Sequence, residues 1–202
     1  MSNISPAPKA PGGLRERKKA KSRALIQQQA LRLFTEKGYD ATTVEQIAEA
    51  AEVSPSTFFR YFPTKEDVVL YDSLDPILLE GMRTQPPELS PIQAMRATYR
   101  SVFSQLPPGE RDMMWQRSLL IRSAPELRAR MLEDLVKTIE TIGEIVAGRV
   151  GRPADDFGVR AFSGAVMGAA LAAWLTSEDM RPEKAFQLID DALAFLEAGL
   201  PL

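Results

Sequence analysis

The chain has no cysteine and no histidine among its 202 residues. Without cysteine there is no disulfide framework and no thiol nucleophile. Without histidine as well, most zinc and other transition-metal sites lose their ligands, and Ser-His-Asp and Cys-His catalysis lose their base. Only carboxylates and lysines remain for acid–base work, so no metal, no cofactor and no catalytic residue is expected. No stretch alternates polar and apolar residues over a useful length, which leaves an all-α fold. Long apolar runs are scarce too. The longest apolar-leaning stretch, 161–175, has 15 residues, below the roughly 20 that span a bilayer. The N-terminus is polar and Pro-rich with no apolar run behind its basic residues, unlike a signal peptide. A cytoplasmic protein is expected.

What is present is unevenly charged. Residues 1–65 carry 11 Lys and Arg against 6 Asp and Glu, and residues 66–202 carry 14 against 21. A basic front and an acidic rear suit a protein that offers one face to nucleic acid. The front opens on MSNISPAPKAPGG, rich in Pro, Gly and Ser, which is expected to be disordered over 1–14. The run LRERKKAKSR follows. It reads as an arm whose Arg15, Lys18, Lys19 and Arg23 bind phosphates or enter the minor groove, in a salt-dependent way.

A first long helix is expected from about Ser22 to Lys37, with Leu25, Ile26, Ala30, Leu33 and Phe34 as its inner stripe and Gly38 as its stop. The next stretch, TTVEQIAEAAEVSPSTFFRYFPTKED, organises the chain. Thr43 can cap a short helix whose Val44, Ile47, Ala48 and Ala51 share a face. Glu52-Val53-Ser54 forms a turn, Ser54 caps the next helix, and Pro55 takes a first-turn position where a missing N–H costs nothing. That second helix is about two turns long. Phe58 and Phe62 share one side with the core residues Val44, Ile47 and Val53. Ser56, Thr57, Phe59, Arg60 and Tyr61 are left outward. Small hydroxyl residues allow close approach to DNA, Arg60 can bond a guanine edge or a phosphate, and Tyr61 can reach a phosphate. Lys65 follows directly and is a further candidate phosphate contact. Two short helices of this kind, the second laid in the major groove, are helix-turn-helix logic.

Thr43-Val44, Ile47-Ala48, Val53-Ser54, the run Thr57 to Phe62 and Lys65-Glu66-Asp67 resemble the DNA-binding signature of the TetR family, over roughly residues 15–75. Two positions depart from the pattern. Glu52 stands where the family often has Gly, and would cost about 1 kcal/mol more than Gly in a left-handed conformation. Phe59 stands where the family often has Tyr, and can contact a thymine methyl but offers no hydroxyl to a phosphate.

The rest reads as further helices, about nine in all, forming a helix-turn-helix domain over 15–66 and a ligand-binding and dimerisation domain over 67–202. A fourth helix is expected from Lys65 to about Met82, kinked or broken at Pro76. Helices then open at Pro91, Glu110, Pro125, Asp155 and Pro182. The helix from Asp155 is unusually small-sided, and the last carries Phe186, Ile189, Leu193 and Leu196 at a sustained helical spacing. As a pair, these helices resemble the TetR-family dimer interface, which implies a homodimer joined through Phe162, Ala165, Ala169, Ala173 and that last stripe. Two copies could read successive major grooves of a palindromic operator in double-stranded DNA.

Met82, Phe103, Met113, Met114, Trp115, Met131, Phe162, Met167 and Trp174 are the candidate lining of a cavity for a hydrophobic small-molecule effector; such residues also serve as plain core. The segments 120–128 and 149–151 resemble the TetR subgroup with an acyl-CoA-like ligand-binding domain. That resemblance implies an acyl chain in the cavity and an Arg such as Arg117, Arg122 or Arg128 near its head. The expected activity is ligand-released repression of transcription. Two alternatives remain open: a rear half that binds a protein partner, and an all-α enzyme using the acidic pairs Asp155-Asp156 or Asp190-Asp191. Those pairs read better as a helix cap and as an exposed helix surface.

Overall fold

A computed structural model describes residues 13–177 and 181–201. The expected disordered tail lies outside the described residues, except for its last two positions. Ten helices occur among the described residues and no strand. The chain divides into two compact units, Met1–Val68 and Val69–Leu202.

The first unit begins with α1, Leu14–Lys37. It starts eight residues earlier than the apolar pattern suggested, because LRERKKAKSR holds strong helix formers and no Gly or Pro. The basic arm is therefore helical. Ile26, Ala30, Leu31, Leu33 and Phe34 are buried, whereas Leu25, expected inside, is exposed. Gln27 is buried instead, and its Nε2 donates to the carbonyl of Val68 at 2.9 Å. Gly38 ends the helix at φ 89°, and its N–H reaches Phe34 O.

Helices α2 (Val44–Ala50) and α3 (Pro55–Tyr61) form the helix-turn-helix. Thr43 and Gln46 build a reciprocal capping box on α2, and Ser54 caps α3 by accepting from Thr57 N. Between them Glu52 takes φ 54°, the left-handed conformation its position demanded. Phe58 and Phe62 are buried, with ring centroids 6.0 Å apart. Ile47 joins them in the core, while Val44 and Val53 are only half-buried.

Helix α4 is short, Lys65–Leu70, and α5 follows at Asp75–Thr84. Of the kink or break expected at Pro76 the structure has the break, which lies before the proline and makes two helices. A proline ring collides with the carbonyl four residues back, here that of Asp72. The Asp72 carboxylate meanwhile accepts from Leu74 N at 2.9 Å, a turn that competes with helix.

The second unit continues with α6 (Pro91–Gln105), α7 (Pro108–Ser123), α8 (Pro125–Val150), α9 (Phe157–Thr176) and α10 (Pro182–Glu197). Its core gathers Met82, Met95, Ile142, Ile145, Val146, Val159, Val166 and Leu193. Gly81 lets α5 touch α6, since a Cβ there would lie 2.4 Å from Thr98 Cγ2. Arg149 donates to the carbonyls of Met82, Gln85, Pro86 and Leu89 and so caps the end of α5.

The acidic pairs are structural. Asp156 caps α9 by accepting from Val159 N at 3.1 Å. Asp190, expected on an exposed surface, is only 5% exposed. Its two oxygens accept from Arg100 at 2.9 and 2.7 Å, with Arg96 at 3.5 Å. Burial pushes its pKa up, but the two guanidinium groups outweigh that and hold it below the usual range. Helix α9 also differs from expectation. Its 20 residues include an 18-residue window of mean hydropathy 1.3, long and apolar enough to cross a membrane by length and composition. Phe157 to Val159 extend the apolar stretch beyond Arg160, which interrupts it only once.

Replacing Glu52 by Gly should stabilise the protein by about 1 kcal/mol, because the left-handed conformation costs an L residue more than glycine. Urea unfolding followed by circular dichroism checks this; an unchanged or lower midpoint would show that the turn is not strained.

Candidate DNA interface and effector cavity

Basic side chains of the first unit converge on one cleft. Leu14, Arg15, Glu16, Lys18, Lys19 and Ser22 of α1, with Arg60 and Tyr61 of α3, line a concavity of about 820 Å³. Because the basic run is helical, Arg15, Lys18, Lys19 and Ser22 fall at i, i+3, i+4 and i+7 and share a face. Arg60 lies over the Tyr61 ring, 5.5 Å from its centroid. Arg23 is apart from this cleft and packs over the Phe62 ring at 5.8 Å.

The start of α3 carries a hydroxyl cluster. Ser54 Oγ lies 2.9 Å from Ser56 Oγ and donates to Thr57 Oγ1 at 2.9 Å, while Thr57 N donates back to Ser54 Oγ. Ser54 and Ser56 are exposed and Thr57 is half-buried. Phe59 is 49% exposed, its ring standing edge-on to buried Phe58 at 5.5 Å. Thr43 is exposed but already caps α2. Lys65 is turned inward, against expectation. Its ammonium donates to the carbonyls of Tyr39 at 2.9 Å and Thr42 at 3.3 Å, above the Tyr39 ring. These carbonyls hold the ammonium, so Lys65 braces the turn before α2.

The second unit holds two apolar cavities. One, about 420 Å³, is walled by α5, α6, α8, α9 and α10, with Leu78, Met82, Met95, Ile142 and Val166 among its lining. The other, about 350 Å³, is lined by Phe103, Met114, Trp115, Met131, Met167 and Trp174 among others. Asp75, Tyr99, Thr138, Met167, Ala170 and Ile189 line both, so the two share a seam. Seven of the nine candidate lining residues are therefore at a cavity wall; Met113 and Phe162 are in neither lining. The polar residues of the seam, Asp75, Tyr99 and Thr138, carry no local sequence signal that separates them from surface residues.

Arg117 lines the second cavity but is fully engaged. It donates to the carbonyls of Val69 at 2.8 Å and Leu70 at 3.3 Å and pairs with Asp72 at 3.0 Å. Arg122 reaches the carbonyl of Ser177, and neither it nor Arg128 lines a cavity. Two charged side chains touch the first cavity, Asp75 and Lys137, and Lys137 pairs with Asp134 at 2.8 Å. Asp75 presents accessible surface yet is crowded by protein atoms. Desolvation, aided by the nearby Asp72 charge and opposed by Arg117, pushes its carboxyl up to about 6. The Tyr99 hydroxyl is raised as well, by burial and then by Asp190 and Asp72.

The proposed dimer residues separate into two sets. Leu193 is 2% exposed in the core, Ile189 and Leu196 pack against that core, and Phe186 stacks on Tyr99 and Phe103. The α10 stripe thus faces its own chain, as does Phe162, because an apolar stripe marks a buried face without naming the partner. Ala165 is exposed, and Ala169 and Ala173 are half-buried.

Residues 26–71 match the model of bacterial regulatory proteins of the tetR family, and residues 89–201 match the MftR C-terminal domain of TetR regulators. The chain belongs to the TetR family. It is a helix-turn-helix, DNA-binding transcriptional regulator. The regulator TcmR of Streptomyces glaucescens is 36% identical to it over 151 residues, 71% of this chain and 67% of TcmR. The fold matches that of Thermus thermophilus FadR, a TetR family repressor in complex with lauroyl-CoA, with TM-score 0.54, 24% identity and coverage of 89% and 95% of the two chains. It also matches the SmeT–triclosan complex, with TM-score 0.54, 15% identity and coverage of 86% and 90%. Within this TetR-family chain, the cleft and hydroxyl cluster belong to the matched N-terminal segment and its helical extension, and most of the cavity lining to the C-terminal match.

The Asp75 carboxyl is raised in the folded protein from 3.8 to about 6. The unfolded chain therefore gives up its proton first, and folding bears a cost that appears between those values and persists above them. Asp75→Asn should raise the melting temperature at about pH 7.5 and leave it unchanged near about pH 4. Differential scanning calorimetry at the two pH values checks this; equal shifts at both would mean the effect is not titration.

Proposed function

We propose that the protein is a homodimeric repressor that leaves a palindromic operator when a hydrophobic small molecule enters the second unit. The observation that carries this reading is the pair of adjoining apolar cavities beside the C-terminal end of α4. Their volumes, about 420 and 350 Å³, lie in the range of small-molecule sites, which favours an effector over a protein partner. The fold supports it as well, since FadR holds lauroyl-CoA and SmeT holds triclosan. On this reading 15–66 is the DNA-binding domain and 67–202 the effector-binding and dimerisation domain, acting in the cytoplasm.

DNA contact is assigned to Arg15, Lys18, Lys19 and the α3 residues Ser54, Ser56, Thr57, Phe59, Arg60 and Tyr61. The helical α1 extension grips phosphates from outside the groove. Dimerisation is assigned to the bare face of α9. Phe157, Ala161, Ala165, Gly168, Ala172 and Leu175 are all exposed and recur at helical spacing. Leu188 and Phe195 of α10 are exposed also. Small residues on such a stripe let two helices approach closely.

The link between cavity and reading head is α4. Its Val68 carbonyl takes the amide of Gln27, while the next two carbonyls take the guanidinium of Arg117, which lines the second cavity. A ligand that moves Arg117 pulls on the helix that continues from the DNA-binding domain. It shifts the population toward a state that fits the operator less well.

A gel shift on the DNA upstream of its own gene, with competitor DNA and then candidate effectors, tests this. Specific binding that survives every hydrophobic compound would end the inducer reading. Arg60→Ala should weaken operator binding by about 1–3 kcal/mol and relax preference at one base pair if it reads a base. Uniform weakening on all sequences would make it a phosphate contact. Ala165→Arg should leave the fold intact, because the site is exposed, and convert the dimer to a monomer in sedimentation; a dimer that persists would move the interface elsewhere.

A further inference from the structure

The shared seam of the two cavities carries a carboxylate that no side chain binds directly among the described residues. The other charged groups at the walls are satisfied within the chain. Arg117 is held by Asp72 and two carbonyls, and Lys137 by Asp134. Asp75 differs. Among the described residues its carboxylate accepts no hydrogen bond and forms no ion pair. The Tyr99 hydroxyl, on the same seam, likewise has no hydrogen-bond partner among the described residues. Helices α9 and α10 contribute only apolar side chains to the linings. Asp75 is exposed as a residue, yet protein atoms around its carboxyl disfavour the charged form, so a cationic partner there would restore it.

We propose that the cavity takes an apolar compound bearing a protonated amine, its ammonium on the Asp75 carboxylate and Tyr99 hydroxyl and its body in the two chambers. This rests on reading the cavities as the effector site and names the effector's chemistry. The charge sign decides against an anionic head. A phosphate or carboxylate would meet Asp75 directly and would have to take Arg117 from Asp72 or Lys137 from Asp134. An ammonium supplies the donors that Asp75 and Tyr99 lack. It also offsets the desolvation that pushes the Asp75 carboxyl up, so the loaded protein is favoured.

A matched series isolates the head group: dodecylamine, dodecanol and dodecanoate, below their aggregation limits, titrated into the full-length protein. Trp115 and Trp174 line the second cavity and report occupancy by fluorescence. The amine should bind about tenfold more tightly than the alcohol, and the carboxylate more weakly than either. In Asp75→Asn the amine's advantage should vanish while dodecanol affinity is kept, which also shows that the variant is folded. In the wild type, lowering pH from about 8 to about 5 should erase the same advantage as Asp75 takes its proton. Of the charged groups facing it, Asp72 and Arg117 hold each other, Lys137 holds Asp134, and Tyr99 is neutral across that range.

Dodecanoate or lauroyl-CoA binding as tightly as the amine would overturn the proposal. So would an amine preference that survives both Asp75→Asn and low pH, or no binding by any of the three. Operator release is scored separately by gel shift. Amine binding without release would sink the inducer reading and leave this site standing; release by the alcohol with no amine preference would do the reverse.

Discussion

One guanidinium sits where most of this architecture has to agree. Arg117 reaches from α7 to the last carbonyls of α4 and to Asp72 in the break before α5. Pro76 forbids a continuous helix, so those carbonyls have no intrahelical partner and need one. Arg117 supplies it with three geometrically fixed interactions, which lysine's point charge could not do. The consequences spread outward. The break places Asp75 at the start of α5, facing the cavity, and it puts Arg117 in the cavity wall. Neighbouring carbonyls of α4 are thus held by the two units in turn, Val68 by Gln27 and Val69 by Arg117. On the proposed reading, that alternation is where a ligand's displacement would strain the chain.

The sequence was most informative where chemistry is local. Thr43 and Ser54 cap their helices because a hydroxyl can reach an N–H three residues on, whatever the surroundings. Six helices open with proline in their first two positions, four of them as the punctuation suggested, at Pro55, Pro91, Pro125 and Pro182. Glu52 takes its left-handed turn because the two short helices leave no other path. The failures share a cause. Periodicity identifies a face but not what lies against it, so the α10 stripe of Phe186, Ile189, Leu193 and Leu196 could be read outward although it packs inward. Polar residues are harder still. Nothing local distinguishes Asp190, clamped by Arg100 and Arg96, from an acid on a wet surface, or Lys65 on two carbonyls from a free phosphate ligand. In α1 the balance is reversed: the charge of the basic run draws attention to its partner, while its helix propensity decides its shape.

Helix α9 shows how composition and burial must be read together. By length and hydropathy it could cross a bilayer, and only 17% of its most apolar window is buried. Yet Val159, Ser163 and Val166 are buried, Gly143 of α8 lies beside Ser163, and an acid caps its start. One face is therefore committed to the core, and the other is a narrow stripe of alanine and glycine ending in Phe157 and Leu175. Such a stripe is too small-sided to gain much from lipid. It is well shaped for a second helix, because the backbone of a partner can come close. The same residues that raise its hydropathy are those that make close helix packing possible.

The cavity poses the sharper question of what a shared fold transmits. FadR with lauroyl-CoA and SmeT with triclosan have this fold at 24% and 15% identity, so the scaffold admits unlike ligands and does not choose among them. Selection falls to the few polar groups in an apolar wall. Here the guanidinium groups that an acyl-CoA head would need are spent on the fold, Arg117 at the α4 break and Arg122 on the carbonyl of Ser177. The apolar walls could hold an acyl chain, but the charge left over is a carboxylate. Desolvation pushes that carboxyl up and no side chain binds it, so on the proposed reading a cationic ligand is the complement.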